Sequence, residues 1–286
     1  MGSDPLTSNR PLLRDPDLDA GVQEEGFVVV RGAARGLVRD LRRVHRNRGP
    51  RVPPPGFHST MYSPDAAHKI TVHNDLVAVL TPLLDELFVG YRPMLANFVT
   101  KVRGGENGIM PPHQDWTFVD EVEGSSLNVW IPLVDVNRRN GGISVLPRSH
   151  RLPRTIRGTD TPDPFQGLGE RLDDWMVELP MSAGDVLVHD HRVLHGSPPN
   201  LRRRPRLATA CAVVAEDAQL VHHALGEDGL LRRYLIEDSF FVRHTFGRPD
   251  FPSDVVFDRL VDFTNPAISD DDVASLWASA GQERVR

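Results

Sequence analysis

Apolar positions in the middle of this chain come in short runs that are separated by turns. This pattern is typical of antiparallel β-sheets. The runs cover residues 95–102, 113–118, 125–134, 142–146, 177–179, 185–189, 193–196 and 207–214. About eight strands are what a double-sheet jelly roll uses. The sequence therefore predicts a mainly β fold with a jelly-roll core at about 95–214.

The regions on either side of this core have a different spacing. Residues 26–30 predict a strand, and apolar residues at positions 37, 38, 41 and 44 predict a helix. A second helix is expected at 75–89, with Asp75 as its N-cap. Residues after 215 are expected to be helical and irregular. We expect one domain over 1–286, with 1–94 as N-terminal strand and helices and 215–286 as a C-terminal extension.

Composition and charge narrow the classes of partner. The net charge of −6 gives no reason to expect binding to nucleic acid or to an anionic membrane. No apolar run approaches the ~20 residues of a membrane span. The N-terminus lacks the basic and apolar segments of a signal peptide, and Cys211 has no cysteine partner in the chain. We expect a cytoplasmic protein that acts on a small molecule, and the sequence does not indicate its oligomeric state.

Two His-x-Asp triplets occur, at His73–Asp75 and at His113–Asp115. With 12 histidines and 27 aspartates in 286 residues, chance alone predicts about one. The first triplet lies where a helix is expected to begin, so we interpret it as the chance match. The second follows a β-rich run, and residues i and i+2 of a strand point to one face.

His195 supplies a second imidazole 82 positions after His113. Two histidines and one carboxylate on one face of a metal are the ligand set of non-haem Fe(II) oxygenases. The spacing alone would also suit zinc.

Further motifs follow the triplet in order. They are a strand at 125–134, the segment Asn140-Gly141-Gly142 leading to Pro147-Arg148-Ser149-His150, Gly184-Asp185, His195-Gly196-Ser197, and Arg206. With these motifs the chain resembles the phytanoyl-CoA dioxygenase family of Fe(II)/2-oxoglutarate oxygenases over about residues 90–215. The resemblance implies a double-stranded β-helix, a cupin-like jelly roll that carries the metal at its open end.

The resemblance also implies roles for particular residues. His113, Asp115 and His195 match the Fe(II) ligands, and 2-oxoglutarate and O2 would be cosubstrates. Arg206 matches the arginine that holds the distal carboxylate of 2-oxoglutarate, a role that suits a planar, permanently charged guanidinium. Its competitors, Arg202 to Arg204, are expected to be exposed in a hairpin turn.

Other positions are weaker candidates for the cosubstrate pocket. Ser197 matches a residue that hydrogen-bonds the same carboxylate. Trp130 matches a pocket-lining position, and a core aromatic is an equally good interpretation of it. Lys101 or Thr100, and Gln114, are further candidates. The resemblance indicates no catalytic residue beyond the metal ligands and does not indicate the substrate-binding residues.

Several charged residues close to these motifs are expected to have structural roles. His189 and His191 crowd His195 and are expected to pack around the site, and His150 is expected to bond to backbone. The acids at 120–123 predict a solvated loop tip, and attraction of a cationic substrate is the alternative interpretation. The long segment 153–174 predicts a mobile cover over the substrate.

The residue at position 115 bears on the type of reaction. Halogenating relatives have a small residue there, which leaves room for chloride, whereas Asp115 fills that position. Hydroxylation or a related oxidation is therefore favoured over halogenation. The net charge and the acids at 120–123 argue against a CoA ester as the substrate, so we prefer a small polar metabolite and a role in secondary-metabolite tailoring. The alternatives are a jelly-roll enzyme that uses another metal, such as an isomerase, and a binding protein that has lost catalysis.

Overall fold

The computed structural model describes residues 11–49, 53–105, 107–244, 255–262 and 264–279. The helices are α1 (Pro16–Glu25), α2 (Val38–Arg48), α3 (Ala66–Leu87), α4 (Phe240–Arg243) and α5 (Asp270–Ser279). The strands are β1 (Phe27–Val30), β2 (Gly56–Ser59), β3 (Tyr91–Val102), β4 (Met110–His113), β5 (Ser126–Pro132), β6 (Ser144–Val145), β7 (Val177–Glu178), β8 (Val186–Asp190), β9 (His195–Ser197), β10 (Arg206–Ala215), β11 (Leu220–Leu225), β12 (Leu231–Ile236) and β13 (Val256–Val261). Short 3-10 helices lie at 35–37, 60–62, 138–140, 149–151 and 169–175.

Two antiparallel sheets form the jelly roll. The major sheet has the strand order β1-β8-β5-β10-β3-β2, and the minor sheet has the order β4-β9-β6-β7. The side chain of Lys101 on β3 donates hydrogen bonds to the carbonyl oxygens of Ser197 and Pro198 at the end of β9, so the sheets face each other. The predicted mainly β jelly roll is therefore confirmed.

Strand alternation divides the major sheet into an outer and an inner face. On β5, Val129 and Ile131 pack with the apolar residues of α2 and α3. Trp130, between them, packs on the inner side with Ala208 and Ala210 of β10. The outer face therefore forms the core together with the helices, while the inner face faces the minor sheet.

Helix α3 begins earlier than the sequence pattern predicted. Asp65 caps it by accepting the N–H of His68, and Asp75 lies inside the helix, where it pairs with Arg48. His73 accepts the N–H of Ala96 on β3 through Nδ1. The prediction of an N-cap at Asp75 is wrong because residues 66–74 are also helical. They are more polar than the apolar residues that follow, so the apolar pattern alone did not include them in the helix.

The region after residue 215 also differs from expectation. Instead of helical and irregular chain, β11, β12 and β13 form a three-stranded antiparallel sheet, the C-terminal sheet. Arginines at positions 232 and 233 interrupt the alternation of apolar and polar residues in β12, so the sequence pattern did not predict this strand. One of these, Arg233, is neutralised across the sheet by Asp258 of β13.

Segment 153–174 does not form an isolated surface excursion. Phe165, Leu168 and Leu172 are buried, and they pack with Ile268 and Val273 near and in α5. Thr159 forms a bridge to Ala224 of β11. The predicted mobile cover therefore corresponds to a segment that is anchored to the C-terminal part of the chain.

No helix among the described ranges is long and apolar enough to cross a membrane.

Gly184, which precedes β8, generates a test of the fold. Its φ is +88°, and a Cβ built there would lie 2.6 Å from Cα of Arg35. Both the left-handed backbone and the contact disfavour a side chain, so Gly184→Ala should lower the free energy of unfolding by roughly 1–3 kcal/mol. Gly167→Ala is the control, since nothing lies within 4 Å of a Cβ at that position. Urea unfolding of both variants checks this, and equal stabilities would contradict it.

Candidate metal centre and adjoining pocket

His113, Asp115 and His195 come together between the two sheets. His113 ends β4 directly opposite His195 of β9, and their ring centroids are 4.4 Å apart. One ligand atom from each of the three residues lies within 4.8 Å of the others, so the group could hold a metal ion. The sequence-predicted ligand set is therefore brought together in space.

Backbone contacts orient both imidazoles. Nδ1 of His113 lies 2.8 Å from the carbonyl oxygen of Pro111, and Nδ1 of His195 lies 3.0 Å from that of Val193. A ring nitrogen that faces a carbonyl must carry the proton, which leaves Nε2 of each ring with its lone pair. Both rings thus present the atom that a metal needs.

Asp115 is placed in a way that the sequence argument did not foresee. Strand β4 ends at His113, so His113 and Asp115 do not share a strand face through alternation, and that part of the prediction is wrong. The peptide N–H of Asp115 instead donates to the carbonyl oxygen of His191, at 3.0 Å. A contact between residues far apart in sequence therefore directs this carboxylate.

The protonation states suit metal binding. Burial lowers the pKa of His113 to about 4, and the charge of His195 adds to this effect. Burial by itself raises the pKa of Asp115, but the imidazoles of His195, His191, His113 and His189 outweigh it and hold the pKa well below its usual value. A neutral imidazole and an ionised carboxylate are the forms that coordinate metals.

Three buried polar atoms in or beside the site lack a hydrogen-bond partner within the described part of the chain. One is Nε2 of His189, and the other two are Oδ2 of Asp115 and Nε of Arg206. Oδ2 of Asp115 lies 4.0 Å from Nε2 of His195, a separation at which a cation between the two atoms could satisfy both. Because buried polar groups are almost always paired, these two atoms fit a metal ion and an anionic ligand.

The inner face of the major sheet carries two buried cations beside this cluster. Arg206 begins β10 and pairs in register with Lys101 of β3. Nζ of Lys101 donates to two carbonyl oxygens at 2.7 Å, and the guanidinium of Arg206 lies 5.5 Å from the ring centre of Trp130. Neither cation has an ion-pair partner among the residues that the structure describes.

Burial opposes both of these charges. It lowers the pKa of Arg206 to about 9 and that of Lys101 to about 6, where Arg206 adds to the effect. Burying cations without a counter-ion is costly, and a bound carboxylate would relieve the cost. The two side chains therefore fit an anionic group such as a carboxylate.

The remaining candidates lie in different surroundings. Trp130 is a core aromatic, and its ring also lies beside the guanidinium of Arg206. Ser197 lies on β9, and its carbonyl oxygen accepts from Lys101. Thr100 alternates with Lys101 along β3 and lines an outer groove with Phe98.

Gln114 and the arginine run are found away from the pair of buried cations. The amide of Gln114 donates to the carbonyl oxygen of Arg192 at 2.5 Å and accepts from Thr155, which ties two loops together. Arg202, Arg203 and Arg204 are exposed, as predicted for a hairpin turn.

The additional histidines lie around the cluster. His189 is fully buried, with its ring centre 4.7 Å from that of His195. Nε2 of His191 lies 3.9 Å from Oδ2 of Asp115, and its Nδ1 contacts the hydroxyl of Ser126. His150 contacts the carbonyl oxygen of Gln23, in agreement with the predicted bond to backbone.

The acids at 120–123 do not form a solvated tip, so that prediction is wrong for two of them. Glu121 pairs with Arg157, and both side chains are buried. Asp120 pairs with Arg233 of the C-terminal sheet. Sequence reasoning missed Arg157 because its acidic partner Glu121 lies 36 positions away and Asp115, whose carbonyl oxygen it binds, lies 42 positions away.

A cavity of about 210 Å³ adjoins His113. It is lined by Gln114, Trp116, Arg157, Gly158, Thr161, Pro162, Asp163, Pro164 and Phe165. Most of its wall thus comes from segment 153–174, and it offers an aromatic ring, a hydroxyl group and charged side chains next to the metal cluster.

The fold and the cluster define a jelly-roll protein with a metal site of the two-histidine, one-carboxylate type. The phytanoyl-CoA dioxygenase (PhyH) family matches residues 22–208. The chain belongs to this family.

Individual relatives agree with this assignment over part of the chain. A phytanoyl-CoA dioxygenase of Arabidopsis thaliana is 32% identical over 140 residues, which are 45% of this chain and 47% of that protein. A probable alpha-ketoglutarate-dependent hypophosphite dioxygenase of Stutzerimonas stutzeri is 33% identical over 102 residues, 32% of this chain and 36% of that protein. The chain spans half or less of the length of the curated relatives that it matches.

Solved structures are similar as well. The epimerase SnoN in complex with Fe3+, alpha ketoglutarate and nogalamycin RO is 25% identical, with a TM-score of 0.50 over 71% of this chain and 84% of that chain. The carbocyclase SnoK from nogalamycin biosynthesis is 19% identical, with a TM-score of 0.51 over 85% of this chain and 96% of that chain. The second likeness shows the fold alone.

The buried histidines behind the site generate a prediction about acid stability. Burial lowers the pKa of His222 to about 3 and that of His223 to about 4, and a neighbouring charge adds to each shift. The unfolded chain, with an ordinary histidine pKa near 6.5, therefore takes up protons before the folded protein does. The free energy of unfolding should fall between about pH 6.5 and pH 4, by up to about 1.4 kcal/mol per pH unit for each such histidine.

Urea unfolding of the metal-free protein at several pH values in this window measures the effect. The double variant His222→Gln/His223→Gln should show a shallower dependence on pH. If its slope equals that of the wild type, these histidines are not held neutral by burial.

Proposed function

We propose that this protein is an Fe(II)- and 2-oxoglutarate-dependent dioxygenase that hydroxylates or otherwise oxidises a small polar metabolite. In this proposal His113, Asp115 and His195 hold the iron, and Arg206 holds the distal carboxylate of 2-oxoglutarate. The observation that carries it is the buried guanidinium of Arg206, which lacks an acidic partner and lies on the sheet that faces the metal cluster.

Iron and 2-oxoglutarate, when bound, supply the activation of O2 together with release of succinate and CO2. The chain contributes position and charge. Its two imidazoles present Nε2, because the Nδ1 atoms are engaged by carbonyl oxygens. The ionised Asp115 supplies one negative charge to a site that would otherwise hold only neutral donors and cations.

The cosubstrate would be oriented by the paired strands β3 and β10. Arg206 and Lys101 lie side by side, so a carboxylate held there would meet the guanidinium of Arg206 and the amine of Lys101 on a rigid sheet. Ser197, at the end of β9, lies on the opposite wall, where its carbonyl oxygen holds Nζ of Lys101. Bidentate contact with a guanidinium fixes direction as well as distance.

The identity of residue 115 supports oxygenation over halogenation. Asp115 occupies the position that a halide would need, and its carboxylate is directed by the bond from its own N–H to His191. We therefore expect an alcohol or a related oxidised product.

The cavity beside His113 supports a polar substrate. Its lining combines Trp116 and Phe165 with Thr161 and Asp163, which suits a molecule that has both a ring and hydrogen-bonding groups. A related structure, SnoN, holds nogalamycin RO. Tailoring of a secondary metabolite is the substrate class that we favour.

Turnover of candidate metabolites gives the direct test. Release of succinate should require Fe(II), 2-oxoglutarate and O2, and it should rise when the substrate is present. Activity with zinc in place of iron, or turnover without succinate, would instead indicate a different jelly-roll enzyme.

The metal ligands can be tested by their spectrum. Anaerobic protein with Fe(II) and 2-oxoglutarate should develop a weak visible charge-transfer band, because the keto acid chelates the iron. His113→Ala, Asp115→Ala and His195→Ala should each abolish the band, whereas His189→Ala and His191→Ala should retain it. A variant of the first group that keeps full metal affinity and the band would remove that residue from the ligand set.

Arg206 can be tested separately from the metal. Loss of its contact with a buried carboxylate should cost about 2–5 kcal/mol, or roughly 30-fold to several thousand-fold in affinity. Arg206→Ala should therefore raise the required concentration of 2-oxoglutarate steeply and leave Fe(II) binding nearly unchanged. Arg203→Ala is the matched control, since Arg203 is exposed. The opposite ranking would mean that 2-oxoglutarate binds elsewhere.

A further inference from the structure

Arg157 makes an unusual set of contacts with the segment that carries Asp115. Its Nε donates to the carbonyl oxygen of Asp115 at 2.6 Å. Its backbone also forms two hydrogen bonds with Thr117. The N–H of Thr117 donates to the carbonyl oxygen of Arg157, and the N–H of Arg157 donates to Oγ1 of Thr117. Arg157 is only 5% exposed, so these bonds form away from bulk water.

Asp115 depends on such contacts because it lies beyond the end of β4. Its N–H is held by the carbonyl oxygen of His191, and its C=O is held by Arg157. These two bonds hold the peptide groups on either side of its Cα, and therefore the direction in which its carboxylate leaves the backbone.

Glu121 keeps the guanidinium in place. It pairs with both terminal nitrogens of Arg157, and both side chains are buried. Nη1 of Arg157 donates in addition to the carbonyl oxygen of Thr155. A planar guanidinium with four such contacts has one orientation, and that orientation directs Nε at Asp115.

We propose that Arg157, oriented by Glu121, is a positioning residue that sets the direction of the Asp115 carboxylate for metal binding. Arg157 touches neither the metal nor the ligand atoms and acts through the backbone of Asp115. It also lines the cavity beside His113, so the wall of the expected substrate pocket and the metal carboxylate are joined by one side chain. This inference rests on the proposed function only in so far as Asp115 binds a divalent metal.

The sign of the charge effect makes the proposal testable. Removal of a positive charge close to a cation site should, by Coulomb's law alone, strengthen metal binding. Loss of positioning should weaken it, and substitution of groups that orient metal ligands typically costs 10- to 100-fold in metal affinity. A weaker affinity in a variant that lacks the charge can therefore not be an electrostatic effect.

The experiment compares Arg157→Gln, Arg157→Lys and Arg92→Gln in the full-length protein. Arg92 is the matched control, since it also combines a carboxylate, Asp238, with the carbonyl oxygens of Ala215, Glu216 and Ala218, none of which belongs to the metal cluster. Anaerobic titration with Co(II), followed by its visible spectrum, gives the metal affinity, and thermal unfolding gives Tm for each protein.

Arg157→Gln should bind Co(II) 10- to 100-fold more weakly than the wild type, with altered visible bands. Arg157→Lys should recover part of the loss, because an ammonium can still donate to one carbonyl oxygen. Arg92→Gln should lower Tm and leave the Co(II) affinity within about threefold. Unchanged or tighter binding by Arg157→Gln overturns the proposal, and so does an equal loss of affinity in Arg92→Gln.

The two proposals fail in different ways. A wild-type protein that binds Co(II) but releases no succinate with Fe(II) and 2-oxoglutarate rejects the proposed function, and the comparison of Arg157 variants can still be made. A wild-type protein that binds no divalent metal rejects both.

Discussion

The register of β10 between β3 and β5 is the constraint on which the rest of the site depends. Cys211 and Val213 point to the core that the helices cover, and Ala208 and Ala210 point inward. Arg206 lies on the same face of β10 as Ala208 and Ala210. A slip of one residue would turn every inward side chain to the other face, which would bury Arg206 among leucines and expose Cys211 to the site. The apolar core with α2 and α3 thus determines where the guanidinium lies.

The inward face then presents charges that the protein leaves uncompensated. Lys101 and Arg206 are adjacent and buried, and neither forms an ion pair with an acid among the described residues. Ala208 and Ala210 beside them are buried and pack with Trp130. Buried charge of this kind is costly in the free protein, and it favours an anionic ligand for the same reason. The proposed role for 2-oxoglutarate follows from this imbalance of charge.

The minor sheet and its loops hold the three residues of the metal cluster in two different ways. His195 is carried by β9 and His113 by the end of β4, so backbone hydrogen bonds between strands set their separation. Asp115 lies outside the sheet and depends on individual bonds from His191 and Arg157. The carboxylate of Asp115, the negative group of the site, is therefore held by single hydrogen bonds and not by strand pairing.

From the amino-acid pattern alone, most strands of the jelly roll, the group of His113, Asp115 and His195, and the exposure of Arg202 to Arg204 could be predicted, whereas the strand expected at 113–118 lies at Met110–His113 and β2 was not predicted. These predictions were possible because alternation of apolar residues and the order of the motifs are properties of neighbouring positions. The start of α3 at Ala66, the C-terminal sheet, and the pairing of Glu121 with Arg157 became apparent only in the folded structure. A buried ion pair between residues 36 positions apart, or a carbonyl oxygen that accepts a distant guanidinium, leaves no periodic trace in the chain, since its energy arises only when folding removes both partners from water.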